Sequence, residues 1–159
     1  MQSKIRDDVL HFLLPGFLVL VAGAVVSVWE FSASGATLTW SPWTTLGAGL
    51  MILGPPTNIV AAITLGRFYS SSLVTRDGHR LINHGVYKHT RHPIYLGTIM
   101  VMVAIPLILE SLFGLFIFSL LIPLFLRRIT MEERMLIAEF GEEYRRYRET
   151  TSKLIPHVY

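Results

Sequence analysis

The first group of residues suited to chemistry lies in the segment RHPIYLG at positions 91–97. Pro93 fits the first turn of a helix, because its ring presets the helical φ angle and its missing N–H is not needed there. The unpaired N–H groups of such a helix start attract an anion, and Arg91 and His92 add donors and positive charge. A structural reading fits the sequence equally well: His92 caps the helix and Arg91 extends to lipid phosphate. The segment therefore predicts a helix start at Pro93 and a candidate anion site.

A second group of charged residues follows the last apolar run. Arg128 and Glu132 stand at positions i and i+4, so a helix places them on one face, and Glu133 adds a second carboxylate. The guanidinium of such a pair can hold a carboxylate while the glutamate holds an ammonium. A solvated ion pair explains the same spacing, and both interpretations stay open at this point.

Four of the six histidines lie in one polar segment, at positions 79, 84, 89 and 92. Their spacing contains no HxxxH pair, and Pro93 favours a helix that begins after His92 rather than one that carries both His89 and His92. The chain also has no cysteine, which excludes disulfides, thiol nucleophiles and cysteine-ligated metals. No metal site is predicted, and His84 and His89 are interpreted as interfacial histidines.

The elements that position these residues are apolar helices. Of the 159 residues, 52% are hydrophobic and 16% charged, and the mean hydropathy is +0.50. A helix needs about 20 residues to cross a bilayer core of about 30 Å. The first run is too long for the core of a secretory signal. The sequence predicts an all-α integral membrane protein with about four transmembrane helices, at residues 9–29, 44–65, 94–109 and 112–126.

Two of these predicted spans have special features. Residues 54–58, which contain Pro55 and Pro56, should kink the second span. The last two spans form a tight hairpin of short arms, so we expect tilting, local thinning of the bilayer, or extension of the last arm through Arg127 and Arg128.

Basic residues are distributed on one side of these spans. All 14 Lys and Arg residues fall before the first span, between the second and third, or after the fourth. This positive-inside pattern predicts a multi-pass protein with both termini in the cytoplasm, in the plasma membrane of a prokaryote or the endoplasmic reticulum of a eukaryote. The basic pI of about 9.4 is then explained by topology and anionic membrane lipids, so no nucleic-acid partner is predicted.

Two polar segments share the predicted cytoplasmic side, a loop at residues 66–93 and a tail at 127–159. Neither is long enough to bury a core of its own. We therefore expect one domain, 1–159, in which loop and tail fold against the membrane helices and form a composite site.

Several motifs in these segments resemble the isoprenylcysteine carboxyl methyltransferase family. In the family's order they are HRLI at 79–82, GVY at 85–87, RHPIYLG at 91–97, EE at 132–133, FGEEYRRY at 140–147 and IP at 155–156. The resemblance covers the C-terminal half and its apolar hairpin, whereas the first two spans match only as membrane helices. It implies a membrane-integral methyltransferase that uses S-adenosylmethionine.

The resemblance also implies a role for each matching residue. The cofactor is bound by the cytoplasmic loop and the C-terminal helix, not by a soluble dinucleotide-binding domain with GxGxxG, a motif that this chain lacks. The implied cofactor-binding residues are His79, Arg80, Leu81, Ile82, Tyr87, His92, Pro93, Ile94, Tyr95, Glu132 and Glu133. The implied catalytic residues are Glu132, facing the methionine ammonium, and Arg128, orienting the methyl acceptor.

The implied acceptor is lipophilic and isoprenylcysteine-like, and it enters from the bilayer, with residues 54–56 as a candidate lining of its path. A carboxylate acceptor is already ionised at neutral pH and suits Arg128, whereas an amine would need a base. The glutamate run of eukaryotic members is reduced here to Glu132 and Glu133. Three alternative functions stay open: a methyltransferase that acts on a lipid nitrogen or sulfur, an NADPH-dependent sterol-type reductase, and a non-catalytic membrane scaffold. The oligomeric state is left open.

Overall fold

The computed structural model describes residues 12, 14–66 and 81–156, and these residues form helices joined by short turns. The helices are α1 Leu14–Ala33, α2 Pro42–Leu65, α3 Pro93–Ile108, α4 Leu112–Ser119, α5 Leu121–Phe140 and α6 Glu142–Thr150. A short 3-10 helix, Gly85–Lys88, precedes α3. Within these described ranges there is no β-strand, only an isolated bridge between Thr90 and Ser152. The predicted all-α class is confirmed.

Three helical segments are long and apolar enough to cross a membrane, namely Leu14–Ala33, Pro42–Leu65 and the combined α4 and α5 at Leu112–Phe140. Helix α3 is also apolar but has only 16 residues. Large apolar side chains of α1 and α2, such as Phe17 and Ile63, are exposed, as expected where a helix faces lipid. The described chain thus has the elements of an integral membrane protein, three long ones and one short one.

Helix α2 stays helical through its two prolines. It begins after Ser41, which forms a reciprocal capping box with Thr44, and it continues through Pro55 and Pro56 to Leu65. The prolines therefore do not divide the helix, and the kink expected at residues 54–58 stays a prediction.

Small residues let α2 and α3 approach closely. A Cβ on Gly54 would stand 2.9 Å from the carbonyl oxygen of Gly97, and a Cβ on Gly97 would meet the side chain of Asn58. Asn58 Nδ2 also lies 3.5 Å from Thr98 Oγ1, so the crossing carries a weak polar contact. Glycine at a helix crossing brings the two backbones together, as is common in membrane helices. Gly54 itself is therefore closed against α3.

Helix α4 packs against the C-terminal half of α1. Ser27 packs directly on Gly114, and Gly23 packs on the ring of Phe118. The carboxylate of Glu30 accepts hydrogen bonds from Ser111 Oγ at 2.5 Å and from the backbone of Phe113 at 3.2 Å. A carboxylate at a helix N-terminus is favourable because it pairs with unsatisfied N–H groups and with the helix dipole.

Helix α5 continues the last predicted span. It follows α4 after a single residue and runs through Arg127 and Arg128 to Phe140, so it extends well beyond the predicted end of the span at residue 126. Phe118, Leu121 and Phe125 form a buried cluster to which Phe12 and Tyr95 add partly buried rings. The first half of α5 is thus anchored in apolar packing, and its second half presents charged residues toward the loop before α3.

Candidate functional site

Helix α3 begins at Pro93, as the sequence predicts. His92 occupies the N-cap position, but its side chain makes no capping hydrogen bond. Its backbone carbonyl accepts from the N–H of Leu96 at 3.1 Å, which starts the helix. The alternative in which the His92 imidazole caps α3 is therefore wrong, and this buried side chain, which is 3% exposed, points elsewhere.

Arg91 turns inward, away from lipid. Its Nε lies 2.8 Å from Glu133 Oε1, and its Nη1 donates to the carbonyl oxygens of Arg148, at 3.1 Å, and of Thr151. Its side chain is 9% exposed. The alternative in which Arg91 extends to lipid phosphate is wrong; its guanidinium joins the loop to α5 and to the end of α6.

Backbone contacts reinforce this junction between loop and tail. The N–H of Arg91 donates to the carbonyl of Ser152 at 2.9 Å, beside the parallel bridge between Thr90 and Ser152. Thr90 Oγ1 donates to the carbonyl of Leu154 at 2.8 Å. The residues directly before α3 are consequently fixed against the chain that follows α6, as expected for segments too short to fold alone.

Tyr87 and Tyr147 make a further contact between the loop and α6. Tyr147 Oη donates to the carbonyl of Tyr87 at 2.6 Å, and burial raises the pKa of Tyr147 to about 12. Tyr144 packs edge-on against Tyr147, with ring centroids 5.8 Å apart. The two tyrosines form the apolar face of α6 that rests on the loop.

Arg128, Tyr95 and Glu132 form a chain of hydrogen bonds. Arg128 Nε donates to Tyr95 Oη at 3.1 Å, and Tyr95 Oη donates to Glu132 Oε2 at 2.8 Å. Arg128 is 5% exposed, and its guanidinium carbon lies 4.4 Å from the centroid of the Phe12 ring. The solvated ion pair considered for Arg128 and Glu132 is therefore wrong, because Arg128 is buried and a tyrosine hydroxyl stands between the two groups.

The neighbouring glutamates have different partners. Glu133 pairs with Arg91, and its Oε2 lies 3.9 Å from Arg148 Nε. Glu132 instead bonds Tyr95. The carboxylate of Glu133 thus contacts the arginines that join the loop and α6 to α5. The carboxylate of Glu132 instead belongs to the hydrogen-bond chain with Tyr95 and Arg128.

Two buried polar atoms near Glu133 have no hydrogen-bond partner within the described part of the chain, His92 Nε2 and Tyr144 Oη. His92 Nε2 lies 3.4 Å from Glu133 Oε1 without hydrogen-bond alignment. Tyr144 is 1% exposed, and burial, followed by the nearby charge of Glu133, raises its pKa. Buried polar atoms are normally satisfied, so these two are candidates for a contact with a polar ligand or water.

The remaining residues implied as cofactor-binding are distributed as follows. Pro93 is buried, and Leu81, Ile82 and Ile94 are half-buried. His79 and Arg80 lie outside the described residues. Beside the loop, a groove of about 620 Å³ is lined by Asn83, Lys88, Glu142, Glu143, Arg146, Tyr147, Thr150 and Thr151. Within residues 12, 14–66 and 81–156, no group of three His, Asp or Glu side chains is placed to hold a metal ion.

Sequence reasoning missed three residues of this site. The sequence singles out no role for Thr90, and Tyr144 and Tyr147 enter the sequence analysis only as members of the motif FGEEYRRY at 140–147. A signal for the tyrosines was present, since positions i and i+3 share a helix face and both are the only apolar rings of α6. For Thr90 the sequence offers no comparable signal, because its partners are backbone carbonyls.

The fold and the site together define a membrane-integral protein with a buried polar cluster where charged helix segments leave the apolar region. Residues 47–138 match the isoprenylcysteine carboxyl methyltransferase (ICMT) family. This match covers more than half of the chain. The chain belongs to this family, as its motifs predicted.

Individual relatives extend the comparison. The protein-S-isoprenylcysteine O-methyltransferase of Saccharomyces cerevisiae is 36% identical over 118 residues, covering 72% of this chain and 49% of the relative. The protein of the same name from Schizosaccharomyces pombe is 27% identical over 137 residues, covering 84% and 58%. Methanethiol S-methyltransferase 1 of Bradyrhizobium diazoefficiens is 42% identical over 72 residues, covering 45% and 24%. The chain spans about half to three fifths of the length of the isoprenylcysteine relatives.

A solved structure shares the architecture. The eukaryotic intramembrane Ras methyltransferase ICMT, solved without a monobody, is similar with a TM-score of 0.75 and 26% sequence identity. The similarity covers 91% of this chain and 53% of that chain. Nearly the whole of this chain therefore corresponds to about half of the larger enzyme, and the membrane fold is the shared part.

Proposed function

We propose that this protein is an S-adenosylmethionine-dependent membrane methyltransferase that acts on the carboxylate of a lipophilic, isoprenylcysteine-like acceptor. The observation that carries the proposal is the partly buried chain Arg128–Tyr95–Glu132, which holds a cation and a carboxylate at the apolar boundary. Membership of the ICMT family and the names of its relatives support the same chemistry.

The residues of the site fit the proposed cofactor. S-adenosylmethionine offers an ammonium, a carboxylate and a nucleoside, and the site offers a glutamate, two buried polar atoms without partners, and a helix start. His92 Nε2 and Tyr144 Oη are those two atoms, and Glu132 is the carboxylate not taken up by structural cations. The first turn of α3 adds backbone N–H groups suited to an anion.

The proposed binding residues therefore divide into two kinds. Glu132, His92, Tyr144 and the start of α3 at Pro93 would contact the cofactor. Glu133 would act indirectly, because its carboxylate already holds Arg91 and lies beside His92. For the nucleoside the proposal keeps the residues implied by the family, namely His79, Arg80, Leu81, Ile82, Tyr87 and Ile94.

When bound, S-adenosylmethionine supplies a methyl group on a positively charged sulfur. Arg128 is permanently charged and would hold an acceptor carboxylate in a fixed orientation. An ionised carboxylate needs no base, so positioning and exclusion of water are the main tasks of the protein. The burial of Arg128 beneath Phe12 suits both tasks, because it places the cation away from bulk water.

An apolar groove offers the lipophilic part of the acceptor a path from the bilayer. It has a volume of about 80 Å³ and lies between α3 and the consecutive helices α4 and α5. Its lining is apolar except for one serine: Ile99, Met102, Val103, Leu115, Phe118, Ser119, Leu121, Ile122 and Phe125. Phe125 packs edge-on against Tyr95, with ring centroids 5.8 Å apart. The groove thus ends beside the Arg128 chain, and residues 54–56 stay a second candidate lining of the path.

Equilibrium binding of radiolabelled S-adenosylmethionine to detergent-purified protein tests the cofactor, with NADPH as the competing candidate. The proposal expects saturable binding of S-adenosylmethionine, weakened about 10-fold or more by His92→Ala, since a charge-assisted hydrogen bond is lost. Binding of NADPH alone would favour a sterol-type reductase, and binding of neither would favour a non-catalytic scaffold.

A further inference from the structure

The hydroxyl of Tyr95 occupies an unusual position between two opposite charges. It accepts from Arg128 Nε at 3.1 Å and donates to Glu132 Oε2 at 2.8 Å. Arg128 and Glu132 are one helical turn apart on α5, the spacing at which such side chains normally meet directly. No direct ion pair between them occurs among the contacts of the described residues.

A direct pair would interfere with the proposed chemistry. If the guanidinium of Arg128 bonded Glu132, the carboxylate would be neutralised and would attract an ammonium less strongly. A partly buried setting strengthens the pair further, since the local dielectric is low.

We propose that Tyr95 is a positioning residue whose hydroxyl keeps Arg128 and Glu132 apart, so that one serves the acceptor and the other the methyl donor. This inference rests on the proposed function and assigns Tyr95 a role other than direct cofactor contact. The hydroxyl suits the task because it can accept from the cation and donate to the anion at the same time.

The ring of Tyr95 is held in place from two sides. It packs against Phe125 of α5 and lies 5.7 Å, between ring centroids, from His92. Its backbone belongs to the first turn of α3, which begins at Pro93. The backbone of Tyr95 therefore belongs to a different helix from Arg128 and Glu132, so its hydroxyl can act as a spacer between the two charges.

Four proteins test the inference: wild type, Tyr95→Phe, Arg128→Ala and the double variant Tyr95→Phe/Arg128→Ala. In Tyr95→Phe we expect Arg128 to pair with Glu132, lowering S-adenosylmethionine affinity about 10-fold. Arg128→Ala alone should leave that affinity nearly unchanged. The double variant should recover most of the affinity, because the cation that captures Glu132 is gone.

The recovery is the decisive outcome, because a direct contact between Tyr95 and the cofactor predicts the opposite. In that case the double variant would bind as weakly as Tyr95→Phe, and the inference would be overturned. Unchanged affinity in Tyr95→Phe would overturn it as well. Thr98→Val is the matched control, since it removes a hydroxyl one turn further along α3; it and all variants are checked for unchanged thermal unfolding in detergent.

Failure of the proposed function looks different from failure of the inference. If wild type does not bind S-adenosylmethionine, the proposed function fails. If wild type binds and the double variant shows no recovery, only the role of Tyr95 fails.

Discussion

At the scale of single residues, Glu132 and Glu133 show how neighbouring identical side chains take different tasks. Consecutive positions on a helix point about 100° apart, so the two carboxylates meet different partners. Glu133 reaches Arg91 before α3, whereas Glu132 reaches Tyr95 within α3. The first contact joins segments of the chain, and the second belongs to the proposed reaction site.

Neutralising each glutamate should therefore have a different effect. Glu132→Gln should raise the S-adenosylmethionine concentration required for half-maximal rate about 10-fold with little change in stability, because one charged contact is lost. Glu133→Gln should lower the free energy of unfolding by about 3 kcal/mol, because Arg91 is left without its buried partner. Unfolding in detergent and initial-rate kinetics measure the two effects.

The exposed Glu139 on the same helix is the control for charge removal. Glu139→Gln should leave both quantities unchanged. Equal effects of Glu132→Gln and Glu133→Gln on stability would contradict the division of tasks.

Tyr147 should make stability depend on alkaline pH. Burial raises its pKa to about 12 in the folded protein, whereas an unfolded tyrosine titrates near about 10. The folded state therefore holds the proton longer, and this contribution is fully present below about pH 10 and is lost as pH rises toward 12. Tyr147→Phe should be less stable at pH 7 by about 1 kcal/mol, through the lost hydrogen bond to Tyr87, yet lose less stability between pH 10 and 12.

The comparison requires unfolding free energies of both proteins at several pH values. Parallel curves for wild type and Tyr147→Phe across the alkaline range would show that the tyrosine is not held neutral by the fold.

At the scale of helices, the close crossing of α2 and α3 fixes where the start of α3 lies. Gly97 is one turn beyond Pro93, and a side chain there would collide with Asn58 and with the backbone oxygen of Gly54. A crossing this tight leaves no room to accommodate a methyl group without moving α3.

Gly97→Ala should consequently destabilise the protein by about 1 to 3 kcal/mol, the usual cost of overpacking. Gly49→Ala in α2 is the matched control, because nothing lies within 4 Å of the added methyl. That control should be neutral or slightly stabilising, since alanine favours helix over glycine by up to about 1 kcal/mol. The measurement is thermal unfolding of Gly97→Ala and Gly49→Ala in detergent. Equal stability of the two variants would contradict the close crossing of α2 and α3.

The elements were predictable from the sequence where a local rule sets them. The start of α3 follows from the preset φ angle of Pro93, and the apolar helices follow from the length of their runs. The end of α5 was not predictable from hydropathy, since the helix continues as a charged, amphipathic segment to Phe140. Its continuation depends on packing against the loop before α3, which a single sequence does not display.

The same limit applies to the site. The spacing of Arg128 and Glu132 predicts a shared face, but not that Tyr95 from another helix comes between them. Arg91 was identified in its motif, yet two of its partners are backbone carbonyls of Arg148 and Thr151. Because every residue has a backbone carbonyl, the sequence does not indicate which carbonyls accept hydrogen bonds from Arg91. Long-range contacts of this kind require the fold.

At the scale of the whole molecule, orientation in the membrane stays a prediction of the charge distribution. The site residues of the described chain cluster at one end, where α2 ends and α3 begins, and Glu30 caps α4 at the other end. The loop at 66–93 and the tail at 127–159, which contain most of the Lys and Arg residues, adjoin the end of the molecule that carries the site. The positive-inside rule therefore predicts that the site lies on the cytoplasmic side.

Reporter fusions test this orientation directly. Fusions after Ser34 and Ser111 should report the non-cytoplasmic side, and fusions after Asp77 and Tyr159 should report the cytoplasm. A cytoplasmic signal from Ser111 would mean that α3 and α4 enter and leave on one side, and the four-span topology would be wrong.

The central claim is that Arg128 serves an acceptor carboxylate during methyl transfer from S-adenosylmethionine. The most direct measurement is transfer of a labelled methyl group to an amine-blocked isoprenylcysteine, with its carboxamide as the control acceptor. The account predicts a labelled methyl ester from the carboxylate only, and in Arg128→Ala a lower kcat/KM for that acceptor with S-adenosylmethionine affinity retained. Label appearing equally with the carboxamide, or only in a thiol or amine of a lipid extract, would contradict it.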